Sequence, residues 1–124
     1  MNKSRFAIAA AVALGCLPLL GAAPATAVQP IRLYSFGYAP SPIVLAAGRP
    51  VTLQFTSIGS HDFTAPAFFA ASRILSGPVE RGEVDMTAGA VKNVTLIPAR
   101  GTYKAHCGHP FHKMMGMHTQ IIVR

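Results

Sequence analysis

After residue 27 the chain is a succession of short alternating runs, each broken by glycine or proline within a few residues. In Val51-Thr52-Leu53-Gln54-Phe55 apolar and polar side chains exchange places at every step, the period of a strand with one buried face. Comparable runs occupy Ile31 to Phe36, Pro42 to Ala46, His61 to Ala65, Glu83 to Met86, Val91 to Ile97, Thr102 to Cys107 and Met117 to Val123. The breaks have the chemistry of strand-linking turns: Pro40 and Pro42, Gly48-Arg49-Pro50, Gly77-Pro78, Ala88-Gly89 and Ala99-Arg100-Gly101. Only Pro66 to Leu75 reads as a helical turn or two. Seven or eight short strands in so short a chain predict an all-β fold, a Greek-key sandwich or barrel of two antiparallel sheets. A fold class alone says nothing about function.

The first 27 residues have a different character. Met1-Asn2-Lys3-Ser4-Arg5 is basic, Phe6 to Leu20 is apolar, and Ala25-Thr26-Ala27 has the small-x-small pattern of a cleavage site. The absence of charge between Arg5 and Arg32 makes a membrane anchor the competing reading. Against it, Pro18, Gly21 and Pro24 interrupt the run, and a spanning helix needs about 20 apolar residues. Ala13-Leu14-Gly15-Cys16 resembles a lipoprotein signal, with its leucine one place out of position. Residues 1–27 are therefore expected to be a cleaved secretory leader. Residues 28–124 would form one domain, a monomer exported to the periplasm or otherwise, with no stable membrane association.

Charge and cysteine content narrow the function. Lys3 and Arg5 leave with the leader, so nine of the 11 basic residues remain against four acids, a balance of about +5. Such a protein suits an acidic partner. Nucleic acid is not expected, because the basic residues are scattered singly without interleaved aromatics. Loss of Cys16 leaves Cys107 alone. A lone thiol in an oxidising compartment has no disulfide partner, and metal ligation is one task that protects it.

Around that thiol runs Tyr103-Lys-Ala-His-Cys107-Gly-His-Pro-Phe-His112-Lys-Met-Met-Gly-Met117, which presents a thiolate, an imidazole and a thioether at the spacing C-x4-H-x4-M. Thiolate and thioether are soft and select reduced copper, while imidazole binds both oxidation states. His61 is the only histidine distant from this loop, and it opens a short run after Ser57-Ile58-Gly59-Ser60, which makes it the natural fourth ligand. Met114 and Met115 compete with Met117 for the thioether position.

This C-terminal segment resembles the copper loop of the cupredoxins, the blue-copper family of plastocyanin, pseudoazurin and rusticyanin. Gly101-Thr102-Tyr103, Cys107, His112 and Gly116-Met117 match its G-x-Y…C…H…G-M pattern, with the longer Cys-to-His spacing of rusticyanin-like members. His61-Asp62-Phe63 resembles the first-histidine segment, although Asp62 stands where asparagine commonly follows. The resemblance spans roughly Ile31 to Arg124. It implies an eight-stranded Greek-key barrel, one copper ion cycling between Cu(I) and Cu(II) at His61, Cys107, His112 and Met117, and electron transfer to a redox partner protein.

Three further histidines lie near the loop. His109 stands too close to Cys107 in sequence to share an ion comfortably, and alternation points His106 away from the face of Cys107. With His118, these are expected at the surface, where a weak secondary copper site is conceivable. His106-Cys107-Gly108-His109-Pro-Phe-His112 also resembles the H-C-H-x3-H run of multicopper oxidases. Gly108 replaces the second histidine there, and one domain cannot complete a second cluster, so no enzyme activity is expected. Asp62 has two readings, a tie between the ligand loops through backbone N–H groups or a plain turn-former. Two functions remain: a soluble one-electron carrier, or a copper-handling protein for carriage, scavenging or resistance.

Overall fold

The computed structural model describes residue 15, residues 25–109 and residues 116–124. Ten strands and one helix follow one another: β1 (Ala27–Tyr34), β2 (Gly37–Ala39), β3 (Ile43–Leu45), β4 (Val51–Ser57), β5 (His61–Thr64), α1 (Pro66–Ala71), β6 (Arg73–Ser76), β7 (Glu83–Met86), β8 (Val91–Ile97), β9 (Gly101–His106) and β10 (His118–Val123). They form two five-stranded sheets, ordered β2-β1-β4-β8-β6 and β3-β10-β9-β5-β7. The chain changes sheet at every connection from β2 through β9, and only β1–β2 and β9–β10 are successive strands within one sheet. Most of the expected leader lies outside the described residues, and Ala27, its last residue, begins β1. Among the described residues no helix is long and apolar enough to cross a membrane.

Alternation places the core. Val51, Leu53 and Phe55 of β4 point inward with Ile31 and Leu33 of β1 and Val94 and Leu96 of β8. Facing them, Phe63, Val84, Ala105, Ile121 and Val123 line the inner face of the second sheet. Phe63 sits at the centre. Its ring lies 5.6 Å from Tyr38 edge-on, 5.0 Å from Phe55 and 6.1 Å from Phe69.

The sheets differ from expectation in two respects. They are mixed rather than antiparallel, because β1 runs parallel to β4 and β3 parallel to β10. Two short strands also exceed the expected eight. β2 was hidden by the prolines that follow it, yet it pairs with β1 and buries Tyr38. β6 takes residues expected to extend the helix. The six-residue helix ends because Phe68 and Phe69 are drawn into the core, and the Ser72 N–H and hydroxyl both donate to the Phe68 carbonyl, at 3.0 and 2.7 Å. Arg73 to Ser76 then pair with β8.

Tyr103 accounts for the G-x-Y pattern structurally. Its hydroxyl donates to the carbonyls of Ala99 and Arg100, at 2.9 and 3.2 Å, which holds the turn into β9. Its ring lies over Gly101, where a Cβ would approach within 2.9 Å, and 5.5 Å from Phe68 of α1.

Phe63→Ala empties the centre of the aromatic cluster and is expected to destabilise the fold by about 3–5 kcal/mol. Urea unfolding measures this, and a loss below about 1 kcal/mol would show that the cluster does not carry the core.

Candidate metal centre

Burial departs from period two in β5. His61, Asp62 and Phe63 of β5 are all buried in succession, so a histidine and a carboxylate are taken out of water beside each other. Buried polar groups need partners, and Asp62 finds them across the sheet. Its Oδ1 accepts the Gly108 backbone N–H at 2.7 Å and the Thr64 hydroxyl at 2.6 Å. Its own carbonyl accepts the Tyr38 hydroxyl at 2.8 Å. The Asp62–Gly108 bond joins residues 46 apart in sequence and continues the β5–β9 pairing of Thr64 with His106. Of the two readings of Asp62, the tie between ligand loops is the one observed.

The same end of the sandwich gathers three of the four expected ligands. His61 opens β5 opposite Met86 of β7 and is 6% exposed. Its ring turns back over the preceding turn, where Gly59 has φ 87° and a Cβ would stand 3.3 Å from His61 Nε2. Cys107 immediately follows β9 and is 1% exposed. Met117 immediately precedes β10, is fully buried, and accepts the Cys107 N–H through its carbonyl at 3.1 Å. Cys107 and Met117 are thus brought together directly, and His61 adjoins them through Asp62. His112 lies outside the described residues, as do Met114 and Met115.

The Cys107 thiol has a divided environment. Burial pushes its pKa up, and the backbone N–H groups of Asp62 and His109, hydrogen-bonded to the sulfur, pull the other way. The Asp62 carboxylate, by its charge and by hydrogen bonding to the thiol, adds to the upward push. Tyr38 is likewise pushed far up, by burial first and then by the negative charge of Cys107 and Asp62, so its hydroxyl remains a donor. Two backbone N–H groups thus reach a buried sulfur that has a carboxylate beside it, and burial outweighs them, so the proton stays on the thiol.

His109, expected at the surface beside a turn, has its side chain 37% exposed, and its Nε2 lies 3.6 Å from Asp62 Oδ2. Ligand atoms of Asp62, Cys107 and His109 fall within 4.8 Å of one another. Gly108 leaves room here for the carboxylate, since a Cβ there would stand 3.2 Å from Asp62 Oδ2. His106 is half-buried and His118 exposed. Tyr38 was missed altogether, since nothing in Gly37-Tyr38-Ala39 marks a hydroxyl beneath Asp62. The donor set, a buried thiol, imidazole and thioether, fits a soft metal such as copper.

No family model and no curated protein match the sequence. Solved structures do match. Auracyanin from the photosynthetic bacterium Roseiflexus castenholzii aligns over 80% of this chain and 98% of its own, with a TM-score of 0.58 and 19% identity. Auracyanin A of Chloroflexus aurantiacus, a "blue" copper protein, aligns over 78% and 99%, with a TM-score of 0.53 and 17% identity. The fold is cupredoxin-like. A laccase from Pediococcus acidilactici aligns over 86% of this cupredoxin-like chain with a TM-score of 0.63 and 13% identity. That alignment covers 29% of the laccase, so the cupredoxin-like unit spans less than a third of that enzyme.

The raised Cys107 pKa predicts how the metal-free protein responds to alkali. The folded state keeps a proton that the unfolded chain releases near its ordinary value of 9.0. Stability is therefore full well below that value and declines as pH rises through and above it. Urea unfolding between about pH 7 and 10 is expected to show this decline, and Cys107→Ser to flatten it. An equal decline in the serine variant would assign it to other groups.

Proposed function

We propose that this chain is an exported carrier of single electrons that holds one copper ion through His61, Cys107, His112 and Met117. The observation that carries this reading is the Cys107 sulfur, buried and approached by backbone N–H groups from β5 and from the loop after β9. Donors fixed by two separate chain segments hold one geometry through a change of charge, which a centre exchanging electrons requires. Bound copper would supply the one-electron couple. Cys107 would contribute a thiolate, His61 and His112 imidazole nitrogens, and Met117 the weaker thioether. Tyr38 and Phe63, both buried beside Asp62, keep bulk water from the inner side.

The surface around this end suits a transient redox partner, acidic to match the chain's positive charge. Phe36 and Ile58 are exposed there. The Phe36 carbonyl lies 3.6 Å from where a Cβ on Gly116 would stand, and the Ile58 N–H bonds the last turns of β1 through the Leu33 carbonyl. Pro110, Phe111, Met114 and Met115 would extend the apolar rim around His112, through which the electron would leave. The reading does not include oxidase chemistry, because Gly108 occupies the position of the second histidine in the oxidase run.

One observation favours the alternative, a periplasmic copper-handling protein. The His109 imidazole beside Cys107 and Asp62 offers an additional donor, by which copper could be passed in or out. Exchange separates the two readings: an electron carrier retains its copper against a chelator through repeated redox cycles, whereas a handling protein surrenders it.

Copper-loaded protein is expected to show intense visible absorption from thiolate-to-copper charge transfer, and Cys107→Ser to abolish it. His61→Gly should lose the normal spectrum, and added imidazole should restore much of it by entering the vacated position. An unchanged spectrum in folded His61→Gly would remove His61 from the ligand set. Met117→Gln should retain copper and lower the reduction potential, because a harder oxygen donor favours Cu(II); a larger shift from Met115→Gln would move the axial role there.

A further inference from the structure

The outer face of the second sheet holds another pair of nitrogen donors. His106 of β9 and His118 of β10 stand directly opposite each other in the antiparallel ladder. At the next rung the Cys107 N–H donates to the Met117 carbonyl at 3.1 Å, which makes that rung the hydrogen-bonded one. His106 and His118 therefore occupy the alternate, non-hydrogen-bonded rung, where opposed side chains come closest, with Cβ atoms about 4.5–5.5 Å apart. In keeping with this, the His118 N–H turns back to the Gly116 carbonyl at 2.9 Å.

Both rings leave the sandwich. Ala105 and Thr119, the adjacent residues, are buried, as are Cys107 and Met117 on the other side of each histidine. The pair thus lies on the opposite face of the strands from the thiol and thioether. It opens into a hollow of about 660 Å³, lined also by Pro66, Ala67, Lys104 and Gln120.

We propose that His106 and His118 form a second metal site, which takes a borderline divalent transition ion such as Zn(II) or Cu(II) through two imidazole nitrogens, with water completing the coordination. Imidazole nitrogen suits both ions. Metal–nitrogen bonds of about 2.0–2.1 Å require two ring nitrogens about 3 Å apart, within reach of rings opposed on one rung. The ladder already fixes both Cβ positions, so binding restricts only the side-chain torsions. Lys104 shares this face, two residues before His106 and opposite Gln120, and its positive charge keeps the ion exchangeable.

The test is a Zn(II) titration of the metal-free full chain, followed through the ring nitrogen-15 resonances of each histidine. The His106 and His118 rings are expected to shift together, with one shared affinity. His118→Ala should weaken the affinity read at His106 by about tenfold or more, one metal–nitrogen bond having been lost. Lys104→Glu should strengthen it by about threefold or more by reversing the local charge. The proposal is overturned if neither ring responds at millimolar Zn(II), or if His106 titrates unchanged in His118→Ala. Should His118→Ala fail to fold, an unchanged affinity in Lys104→Glu overturns it. These readouts belong to the outer rings, so they stand whether or not copper is held at Cys107.

Discussion

The hydrogen bond from the Gly108 N–H to the Asp62 carboxylate determines how this end of the molecule is assembled. A buried carboxylate is costly unless its oxygens are satisfied, and a charged acceptor makes such bonds stronger than neutral ones. Asp62 meets that requirement with donors from the loop after β9 and from its own strand. The connection is reciprocal, since the Asp62 backbone N–H reaches the Cys107 sulfur. Two bonds in opposite directions fasten the start of β5 to the end of β9, and the thiol lies between them. A Cβ at position 108 would press on the carboxylate at 3.2 Å, which glycine avoids.

From that junction the inner and outer faces of one sheet acquire separate chemistry. Cys107 and Met117 face inward at the hydrogen-bonded rung, while His106 and His118 face outward at the next. The single-residue step of a strand separates soft donors in a closed interior from nitrogen donors in an open hollow. His109 belongs to neither face, because it follows the turn at Gly108 and returns toward Asp62.

Much of the sandwich was legible from alternation and turn chemistry. Val51 to Phe55, Val91 to Ile97 and Met117 to Val123 became strands because one side of each was apolar at period two. Elements failed to register where local signals opposed tertiary ones. Pro40 and Pro42 concealed β2, whose strand pairing rests on Tyr38 entering the core. Ile74 and Leu75 read as a continuation of the helix, but an open edge on β8 offered them backbone partners. Parallel pairing of β1 with β4 and of β3 with β10 has no signature in a short strand, since the alternation is the same in either direction.

The candidate site divides in the same way. The sequence by itself determined the donor chemistry: a lone thiol, an imidazole and thioethers at fixed intervals, with His61 the one histidine at a distance, because donor softness depends on residue type alone. It also determined that His106 would face away from Cys107, since adjacent strand residues must diverge. Only the tertiary structure decided that Asp62 would be the tie, that His109 would lie beside it, and that His106 would find His118 across the rung. Each of these depends on which strands become neighbours and in what register. Register is set by burying Phe63, Ala105 and Ile121 together, a condition distributed over the whole core and written in no single segment.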